Sequence, residues 1–395
     1  MERTILHCDC NSYFASVESI DRPELRLVPM AVCGNPESRK GIILAKNELA
    51  KQYGIVTAET VYSALRKCPH LVLVSPHIGK YEVYCKKINA IYAQYTDQVE
   101  AFGIDESWLD VTGSLHLFGS GQEIADELRR RIRETFGLTI SVGVSFNKVF
   151  AKLGSDYKKP DATTVITKEN YRQIVWPLSA RDMLFVGSAA YAVLNKGGIQ
   201  TIGDIAQAGQ DTLIALLGKS GEIIWRYCMG LDDSPVKHIG ESTPVKSVGN
   251  GLTFPRDLVT EDDIRTSLLI LCDHVGSRLR KQGLYCTSLQ VQIKDPALKV
   301  ISRQRKLPAP TNSTRELHEA AVGIVLAAWK LGTPIRLFAV NAGGLTCENA
   351  AQLNLLESTT EQDRDTKLDS AMDKIREKYG YESIQFASII NTDLK

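Results

Sequence analysis

The feature of this 395-residue sequence that most limits its fold is a pair of short apolar segments that each end in acid. One runs from Leu6 to Asp9, and the other runs from Ala101 to the adjacent Asp105 and Glu106. Both have the alternation of apolar and polar residues that is typical of strands. Because neighbouring residues on a strand point to opposite faces, Asp105 and Glu106 can share one site only where the strand ends. If a strand carrying Asp9 pairs beside them, three carboxylates converge and need divalent cations to relieve their repulsion.

The same acids have a simpler explanation, because most adjacent Asp and Glu residues are ordinary turn acids. The order of the surrounding elements favours the metal site. We predict strands at 3–10, 99–104 and 139–144 and helices at 11–20, 121–136 and 146–155. The last of these helices carries Lys148 and Lys152 one turn apart. An order of β-α-β-β-α-β with additional helices predicts a ferredoxin-like sheet backed by helices.

Composition bounds the class of protein. The length suits roughly two to four domains, and 44% hydrophobic residues are enough for real cores. The formal net charge is +1, but residues 242–350 carry 14 Lys and Arg against 9 Asp and Glu, which indicates either a polyanionic partner or a solvated basic face. The nine cysteines have no zinc spacing, and there is no signal peptide or transmembrane run. We therefore expect a reduced, cytoplasmic protein with no membrane partner.

Two further modules follow. Residues 161–240 are predicted to be helical, and 184–190 followed by 198–205 resembles a helix-hairpin-helix, which either faces a DNA phosphate or is purely structural. Residues 231–245 lack periodicity and suit a linker. Beyond it we predict helices at 261–282 and 313–330, strands at 284–294, 299–306 and 335–341, and a turn at 307–310.

Four motifs together carry a family resemblance. They are the segment His7–Glu18, the segment Ile104–Asp110, the segment from Ser141 through Lys148, and Ser155-Asp156 with Lys159-Pro160. In order and spacing they resemble the palm of the Y-family of translesion DNA polymerases, from residue 3 to residue 160. The start of the first motif and the tail of the chain look more like the UmuC-type branch than the DinB-type branch.

The resemblance implies an α+β multidomain fold. It is the fold of a right-hand polymerase with a ferredoxin-like palm, small fingers, a helix-hairpin-helix thumb and a ββαββα-like little finger. The expected boundaries are 1–165 for the palm and fingers with the fingers at about 22–78, 166–235 for the thumb, 236–245 for a linker, 246–350 for the little finger, and 351–395 for a tail.

The family's catalytic roles can be placed on matching positions. Asp9, Asp105 and Glu106 would be the catalytic residues and would hold two Mg²⁺ ions, with the backbone carbonyl of Cys10 as a further ligand. One ion would activate the primer 3′-hydroxyl and the other would hold the triphosphate, so that both the entering and the leaving oxygen are stabilised.

The resemblance also implies nucleotide contacts. Phe14 aligns with the steric gate, whose ring excludes a ribose 2′-hydroxyl, and the adjacent Tyr13 lies either under the sugar or in the core. Lys159 aligns with a lysine that reaches the triphosphate as a point charge.

The predicted helix 46–53 departs from the family pattern. Many family members place a Thr, a Tyr and an Arg against the triphosphate where this chain has Ala45, Glu48 and Lys51. Ala45 offers no hydroxyl, and Lys51 cannot make the bidentate contact of an arginine. Glu48 would repel phosphate, so we expect it to turn aside or to pair with Lys51. Nucleotide binding, with Lys51 as one contact, should therefore be weaker or differently aligned than in better-matching relatives.

The DNA contacts expected from the resemblance are Lys148, Lys152, Gly187, Lys246, Arg303, Arg305 and Lys306. The first two lie on the helix at 146–155, Gly187 lies in the helix-hairpin-helix, and the last four lie in or just before the little finger. The alternative for the strand at 299–306 is an ordinary exposed edge, because charged edge strands also prevent aggregation.

A short peptide after residue 350 has a recognisable pattern. Gln352, Leu353, Leu355 and Leu356 resemble the segment by which bacterial polymerases bind the sliding clamp, where an extended peptide docks its leucines in a groove. Further on, an amphipathic helix closed by Gly380 has no function that we can assign.

The sequence therefore predicts a DNA-directed DNA polymerase that copies damaged template with low fidelity and acts as a monomer. Its expected partners are primer–template DNA, dNTP and the sliding clamp. Two alternatives stay open. Ala45 and Glu48 suit a DNA-binding scaffold with a weakened or lapsed polymerase site. A nucleotide cyclase shares the ferredoxin-like palm with acidic metal ligands, but it leaves residues 161–350 unexplained.

Overall fold

The chain forms two compact units, Met1–Glu241 and Ser242–Lys395. The computed structural model describes residues 2–35, 41–241, 244–348, 359–390 and 392–394. No helix within these ranges is long and apolar enough to cross a membrane. All nine cysteines are free thiols, and seven of them are buried, as expected for a reduced protein.

The first unit is built on a five-stranded sheet and a smaller three-stranded sheet. Its strands are β1 (Ile5–Cys10), β2 (Met30–Cys33), β3 (Ile43–Lys46), β4 (Val72–Val74), β5 (Val99–Ala101), β6 (Glu106–Asp110), β7 (Ile140–Ser145) and β8 (Thr163–Ile166). The larger sheet has the order β5-β6-β1-β7-β8, and the smaller has the order β3-β2-β4. The predicted neighbourhood of the Asp9 strand and the acidic hairpin is therefore confirmed.

Strand β1 is the centre of the larger sheet. All six of its residues are buried, and it is antiparallel to β6 on one side and to β7 on the other. Leu6, Cys8 and Cys10 alternate along it and pack into one apolar core with helices on the same side. The two cysteines therefore act as small hydrophobic residues around Asp9.

Twelve helices belong to the described residues of this unit. They are α1 (Tyr13–Asp21), α2 (Glu48–Gln52), α3 (Val61–Lys67), α4 (Ile78–Tyr92), α5 (Leu115–Phe118), α6 (Gly121–Phe136), α7 (Lys148–Tyr157), α8 (Tyr171–Ile174), α9 (Ser188–Lys196), α10 (Ile202–Ala208), α11 (Gln210–Leu217) and α12 (Lys219–Cys228). The helix predicted at 121–136 is α6. It starts with a capping box between Ser120 and Glu123 and ends at Gly137, which has φ 64°.

Helix α7 packs directly against the sheet beneath the acidic strand ends. A Cβ atom at Gly143 of β7 would lie 1.9 Å from the carbonyl oxygen of Ala151, so only glycine permits this approach. Gly154, one turn further along α7, meets the same strand. This close packing fixes the distance of α7 from the sheet, and so it also fixes the positions of Lys148 and Lys152 on the helix.

Two separate cores define the remaining parts of the first unit. Residues of β2, β3, α2 and α3 form one around Ala31, Ile43 and Val61, which corresponds to the predicted fingers. Helices α7 to α12 enclose another around Phe150, Ile202 and Ile224. Helices α8 to α12 of this second core lie within residues 161–240, which were predicted to be helical, whereas α7 precedes that range.

The second unit is a four-stranded sheet with helices on one face. Its elements are β9 (Ser247–Leu258), α13 (Glu261–Lys281), β10 (Tyr285–Lys294), β11 (Val300–Thr311), α14 (Thr314–Ala328), β12 (Ile335–Thr346), α15 (Thr359–Tyr379) and α16 (Ala387–Ile390). The strand order is β11-β10-β12-β9. Alternate residues of β10, namely Leu289, Val291 and Ile293, are buried under the helices, which leaves the opposite face open.

The structure corrects two details of this unit. The turn predicted at 307–310 is wrong, because β11 continues through Pro308 and Pro310 to Thr311. Proline is tolerated there because β11 is an edge strand, and its pairing with β10 is interrupted by a register shift at this point. Strand β9 was not predicted, since its glycines and Pro255 hide the strand pattern.

The chain after α12 lies against the first unit for several residues. Val236 is 1% exposed and packs with Ile5 and Trp108. Its carbonyl oxygen accepts a hydrogen bond from Gln98, and the Arg3 guanidinium donates to carbonyl groups of residues 232–234. Part of the segment predicted as a linker is therefore docked on the sheet edge.

The predicted tail helix is α15, and it packs on the helical side of the second unit. Arg376 donates two hydrogen bonds to Asp273 of α13 at 2.9 and 2.8 Å. Arg280 of α13 pairs with Asp369 of α15 at 3.0 Å. Ile389 and Leu394 enter the core of the unit, so the end of the chain contributes to this fold.

Candidate active site

The carboxylates of Asp9 and Glu106 lie at the same end of two neighbouring strands. Strands β1 and β6 are antiparallel, and their register sets Asp9 opposite Glu106. The backbone amide of Cys10 donates to the carbonyl oxygen of Asp105 at 3.0 Å, which fixes Asp105 one step beyond the last strand pair. Residues from two distant parts of the chain therefore converge at one strand end, as the sequence predicted.

Two lysines pair with these acids. Nζ of Lys159 lies 2.7 Å from Oδ2 of Asp9 and 2.7 Å from Oδ1 of Asp156. Lys152 of α7 forms a close ion pair with Oε2 of Glu106. Each lysine contacts one carboxylate oxygen of its partner, and the second oxygen of Asp9 and of Glu106 accepts no hydrogen bond from the described residues.

A buried histidine next to the acids was not recognised from the sequence. His7 is fully buried, and its Nδ1 lies 2.8 Å from the hydroxyl oxygen of Ser155, which itself donates to the carbonyl of Lys152. Its Nε2 lies 3.2 Å from Oε2 of Glu106. The imidazole thus links β1, β6 and α7. The sequence did contain one indication of this role: His7 is a polar residue two positions before Asp9 on the same strand, so both side chains point to the same face of the sheet.

The three acids have different proton affinities. Burial, together with the negative charges of Asp9 and Glu106, raises the pKa of Asp105 to about 6. Burial also raises the pKa of Asp9, although Lys159 opposes that change. Burial disfavours the charged form of Glu106 too, but the contacts from His7 and Lys152 outweigh it and lower the pKa of Glu106 to about 2. The site therefore carries more negative charge than its lysines balance.

This donor set fits Mg²⁺, which prefers carboxylate and carbonyl oxygens. Burial first, and then the charges of Asp9 and Glu106, raise the pKa of Asp105, and a divalent cation at the strand end would favour its charged form. In the described part of the chain, no three Asp, Glu, His or Cys side chains are spaced to ligate one ion as they stand. Binding an ion here therefore requires the acidic side chains to move relative to one another.

The two aromatic residues after the acid have different surroundings. Tyr13 is buried, and its hydroxyl donates to the backbone carbonyl of Tyr81 at 2.7 Å. Phe14 is half-buried and stacks on the ring of Tyr81 with centroids 4.1 Å apart and planes 13° apart. The Tyr81 hydroxyl is fixed by Glu18 at 2.5 Å. Tyr13 is thus a core residue here, whereas one face of Phe14 is supported and the ring remains partly accessible.

Glu48, which departs from the family pattern, has two hydrogen-bond partners. Oε1 of Glu48 accepts hydrogen bonds from the Ser12 hydroxyl at 3.2 Å and from Nζ of Lys51 at 2.5 Å. The expectation that Glu48 pairs with Lys51 is confirmed. Ser12 follows the end of β1 and has φ 49°, so this ion pair borders the turn that comes directly after the strand of Asp9.

The lysines predicted as DNA contacts on α7 face inward. Lys148 is 9% exposed, and its Nζ lies 2.6 Å from Oε2 of Glu100 and 4.4 Å from the centre of the Trp108 ring. Lys152 is held by Glu106. Their roles as DNA contacts remain predictions, and this geometry does not favour them.

The other predicted DNA contacts are on the surface. Gly187 is the N-cap of α9, with open space around it. Lys246 is exposed just before β9. Arg303 and Arg305 are exposed on the edge strand β11, opposite Val291 and Leu289, so they point to the side of the sheet that carries the helices.

The open face of the second sheet is mostly polar, with two lysines and no acid among the residues that the strand register assigns to it. Its strand register assigns to that face Ser288, Gln290, Gln292 and Lys294 of β10, Ser302, Gln304 and Lys306 of β11, and Ala339, Asn341 and Gly343 of β12. Of the β11 residues that sequence reasoning selected, Lys306 lies on this face and the two arginines do not. The rest of the face was missed, because strand β9 and the register were unknown. The clamp-type peptide with Gln352, Leu353, Leu355 and Leu356 lies outside the described residues.

The architecture matches a known class of protein. A solved structure described as a Y-family DNA polymerase chimera superposes with a TM-score of 0.77 over 86% of this chain and 98% of that chain, at 23% identity. The model of the impB/mucB/samB family matches residues 8–156, and the model of its C-terminal domain matches residues 245–355.

Full-length relatives agree with these matches. Proteins named DNA polymerase IV are 44% identical in Acetivibrio thermocellus over 98% of this chain and 97% of the relative, and 35% identical in Alkaliphilus oremlandii over 99% and 100%. A protein of the same name in Clostridium acetobutylicum is 32% identical over 100% of both chains. The chain belongs to the impB/mucB/samB family, the Y-family of DNA polymerases. Its expected place near the UmuC-type branch stays a prediction.

Proposed function

We propose that this chain is a DNA-directed DNA polymerase that extends a primer across damaged template bases, with Asp9, Asp105 and Glu106 as the catalytic carboxylates. The observation that carries the proposal is the register of β1 and β6, which sets Asp9 opposite Glu106 with Asp105 adjacent. Family membership supports primer–template DNA and dNTP as substrates.

The metal-binding roles rest on the oxygen donors at the strand end. Asp9, Asp105, Glu106 and the carbonyl of Cys10 would hold two Mg²⁺ ions, which stabilise the entering and the leaving oxygen of an in-line phosphoryl transfer. Lys159 would move from Asp9 to the triphosphate, a short exchange of one anionic partner for another. Lys152 and His7 would keep Glu106 oriented from the side opposite its free oxygen.

The nucleotide sugar would lie on Phe14. Its stacking on Tyr81 holds the ring in place, and a fixed ring leaves no room for a 2′-hydroxyl. Phe14→Ala should therefore raise the use of rNTP relative to dNTP by at least about tenfold, a change of about 1.4 kcal/mol in discrimination. Single-nucleotide incorporation with dNTP and rNTP measures it. Equal discrimination in the variant would leave Phe14 as a core residue only.

Three finer features are proposed on family grounds. The chain would work as a monomer in the cytoplasm, where the bacterial chromosome is. The peptide at residues 352–356 would bind the sliding clamp, and replacing Gln352 and Leu355 with Ala should abolish clamp-stimulated synthesis while basal extension persists.

A DNA-binding scaffold with a weakened polymerase site is the second candidate. The pairing of Lys51 with Glu48 favours it, because a cation expected to meet phosphate is already engaged. A cyclase is less favoured, because that function does not explain why the chain has the second unit.

Primer extension with Mg²⁺ and single dNTPs separates these functions. We expect incorporation by the wild type, none by Asp105→Ala with Glu106→Ala, and retained DNA binding by both. A matched control is Glu127→Ala with Glu134→Ala, which removes two exposed carboxylates that pair with Arg130 on α6. Wild-type protein that binds DNA without incorporation would favour the scaffold, and turnover of nucleotide without DNA would favour the cyclase.

A further inference from the structure

Lys159 lies outside the helices and strands of the first unit. It belongs to the connection 158–162, which joins the end of α7 to the start of β8. Its Nζ lies between the carboxylates of Asp9 and Asp156, at 2.7 Å from each. Because no helix or strand fixes its backbone, the reach of Lys159 into the acidic site depends on how this connection is held.

The far end of the connection is attached to α6. Asp161, two residues after Lys159, accepts hydrogen bonds at Oδ1 from Nε and Nη2 of Arg129, at 3.2 and 3.1 Å. Nη2 of Arg129 also donates to the backbone carbonyl of Asp161, and Arg133, one turn further along α6, donates to Oδ2. Two side chains of one helix therefore bind both carboxylate oxygens and the carbonyl of Asp161.

Helix α6 is a firm support for this attachment. Leu128 and Ile132 are fully buried in the core that α6 shares with β1 and β7. The Arg129 side chain is 19% exposed, and its Nη1 donates to Asp126 at 3.0 Å. A planar guanidinium holds several acceptors in one fixed geometry, which the ammonium of a lysine does not. The connection is therefore tied to the best-packed layer around the sheet.

The backbone conformation of Asp161 does not by itself require a carboxylate. Its φ is 54°, in the left-handed region, which glycine adopts more readily. Asp161 also lines a cleft of about 340 Å³ together with Ser12 and Glu48, next to the end of β1. An unpaired acid in this cleft would repel a triphosphate. The two arginines neutralise Asp161, so its charge attaches the connection to α6 without opposing an anionic ligand.

We propose that Arg129 is a positioning residue for nucleotide binding, which acts through Asp161 to hold the connection 158–162 where Lys159 reaches the triphosphate of the incoming nucleotide. Arg133 supports Asp161 in the same role. The inference rests on the proposed function, because it takes dNTP as the ligand of Lys159. Loss of the Arg129 attachment should therefore act through Lys159 alone.

Two variants remove the attachment in different ways. Arg129→Lys keeps the charge but cannot form the fork of hydrogen bonds, and Asp161→Gly suits the positive φ but lacks the carboxylate. We expect each to raise the KM for dNTP about fivefold with kcat within about twofold, the change for roughly one charge-assisted hydrogen bond. Arg130→Lys is the matched control on the same helix, because Arg130 pairs with the exposed Glu127 and Glu134, and it should leave KM unchanged.

A double-mutant cycle separates positioning from a purely structural role. Lys159→Ala should itself raise the KM for dNTP. Arg129→Lys added to Lys159→Ala should then change KM by less than about twofold, because the side chain that it positions is already gone. A purely structural role of Arg129 would give the same fivefold factor with and without Lys159. Thermal unfolding of the same samples measures stability separately.

The cycle is repeated without turnover, as the Kd for dNTP of enzyme bound to a duplex with a dideoxy-terminated primer. Wild-type KM and Kd in both Arg129→Lys and Asp161→Gly would overturn the proposal, and so would equal factors in the two Lys159 backgrounds. Failure of the proposed function looks different, because the wild type would then bind dNTP without incorporating it and the Kd values would still be comparable. A wild type that binds no dNTP would overturn both.

Discussion

The two large sheets of this protein use charge in opposite ways. At the end of the five-stranded sheet, Asp9, Asp105 and Glu106 meet only two lysines, and the pKa of Asp105 is raised to about 6. On the four-stranded sheet the residues that the register assigns to the open face include Lys294 and Lys306 and no acid. Its unit places its charged pairs on the helical side, where they are balanced.

The balanced example is Arg376 with Asp273. Their side chains are 5% and 3% exposed, and two hydrogen bonds at 2.9 and 2.8 Å join them. The Tyr381 hydroxyl donates to the same carboxylate at 2.6 Å. Both carboxylate oxygens of Asp273 therefore accept hydrogen bonds, from Arg376 of α15 and from Tyr381 just after it, and they attach α15 to α13. One region leaves acidic side chains with few cationic partners, and the other pairs its buried charges and so stabilises the fold.

The most direct way to break this comparison is Asp105→Asn. If the unsatisfied charge serves the ions, this variant should lose at least about a thousandfold in primer extension, because metal ions supply most of the charge stabilisation in phosphoryl transfer. Affinity for primer–template DNA should stay within a factor of about two, as no DNA contact is removed. Activity within about tenfold of the wild type would place the catalytic charge elsewhere.

The balanced pair predicts the opposite kind of effect. Arg376→Met should destabilise the second unit by about 3–5 kcal/mol, because it leaves the Asp273 carboxylate buried without its partner. Hydrogen exchange resolved by peptide measures this in α13 and α15 separately from the first unit. Arg265→Ala, which breaks an exposed pair with Glu261 on α13, should change stability by less than about 1 kcal/mol. Similar effects of both variants would contradict the distinction.

The acidic strand ends could be predicted from the sequence because their signals are local. The alternation in residues 3–10 fixes which side chains are inward, and acid at the end of a strand marks a site. Helix α6 was equally predictable, with an apolar stripe and caps at Ser120 and Gly137. The Glu48–Lys51 pair followed from opposite charges one turn apart on α2.

Long-range contacts were not predictable. Lys148 was expected to face DNA, but Glu100 and the carbonyl of Pro235 hold it, and nothing near Lys148 in sequence indicates either partner. The same holds for His7, whose partners Ser155 and Glu106 come from other elements. Prolines suggested a turn in β11 because sequence alone does not tell an edge strand from a central one.

The pH dependence of stability sharpens the contrast within the first unit. The pKa of Asp105 is about 6 in the fold against 3.8 as reference, so the folded state holds its proton more tightly and loses stability as pH rises from about 4 to above 6. Glu106, with a pKa of about 2 against 4.5, contributes stability above pH 4.5 and loses it as pH falls towards 2. Burial also raises the pKa of Asp9, so Asp9 loses stability in the same direction as Asp105 as pH rises, and the comparison of wild type with an Asp105 variant isolates the share of Asp105.

Asp105→Asn should therefore stabilise the metal-free protein at pH 7 by about 1 kcal/mol, allowing for solvent screening of a partly exposed group. The gain should shrink as pH falls and vanish near pH 4. Urea unfolding in EDTA at several pH values measures it. Because the same variant abolishes activity, a gain at pH 7 would mean that the site is maintained at the expense of stability. A loss of stability at pH 7 would contradict the raised pKa.

The smallest expected effect concerns the exposed pair of Glu48 and Lys51. In its charge balance this pair is intermediate between the acidic strand ends and the buried pair of Arg376 and Asp273. Glu48 occupies the donors of Ser12 and Lys51. If a triphosphate competes for them, Glu48→Gln should lower the KM for dNTP about two- to threefold with little change in kcat, since an exposed pair is worth less than about 1 kcal/mol. Lys51→Ala should raise KM by a similar factor. Glu24→Gln, which breaks the exposed pair with Arg22, is the control and should leave KM unchanged.

An unchanged KM in both Glu48→Gln and Lys51→Ala would remove this pair from the nucleotide site, and the departure from the family pattern would then have no catalytic consequence.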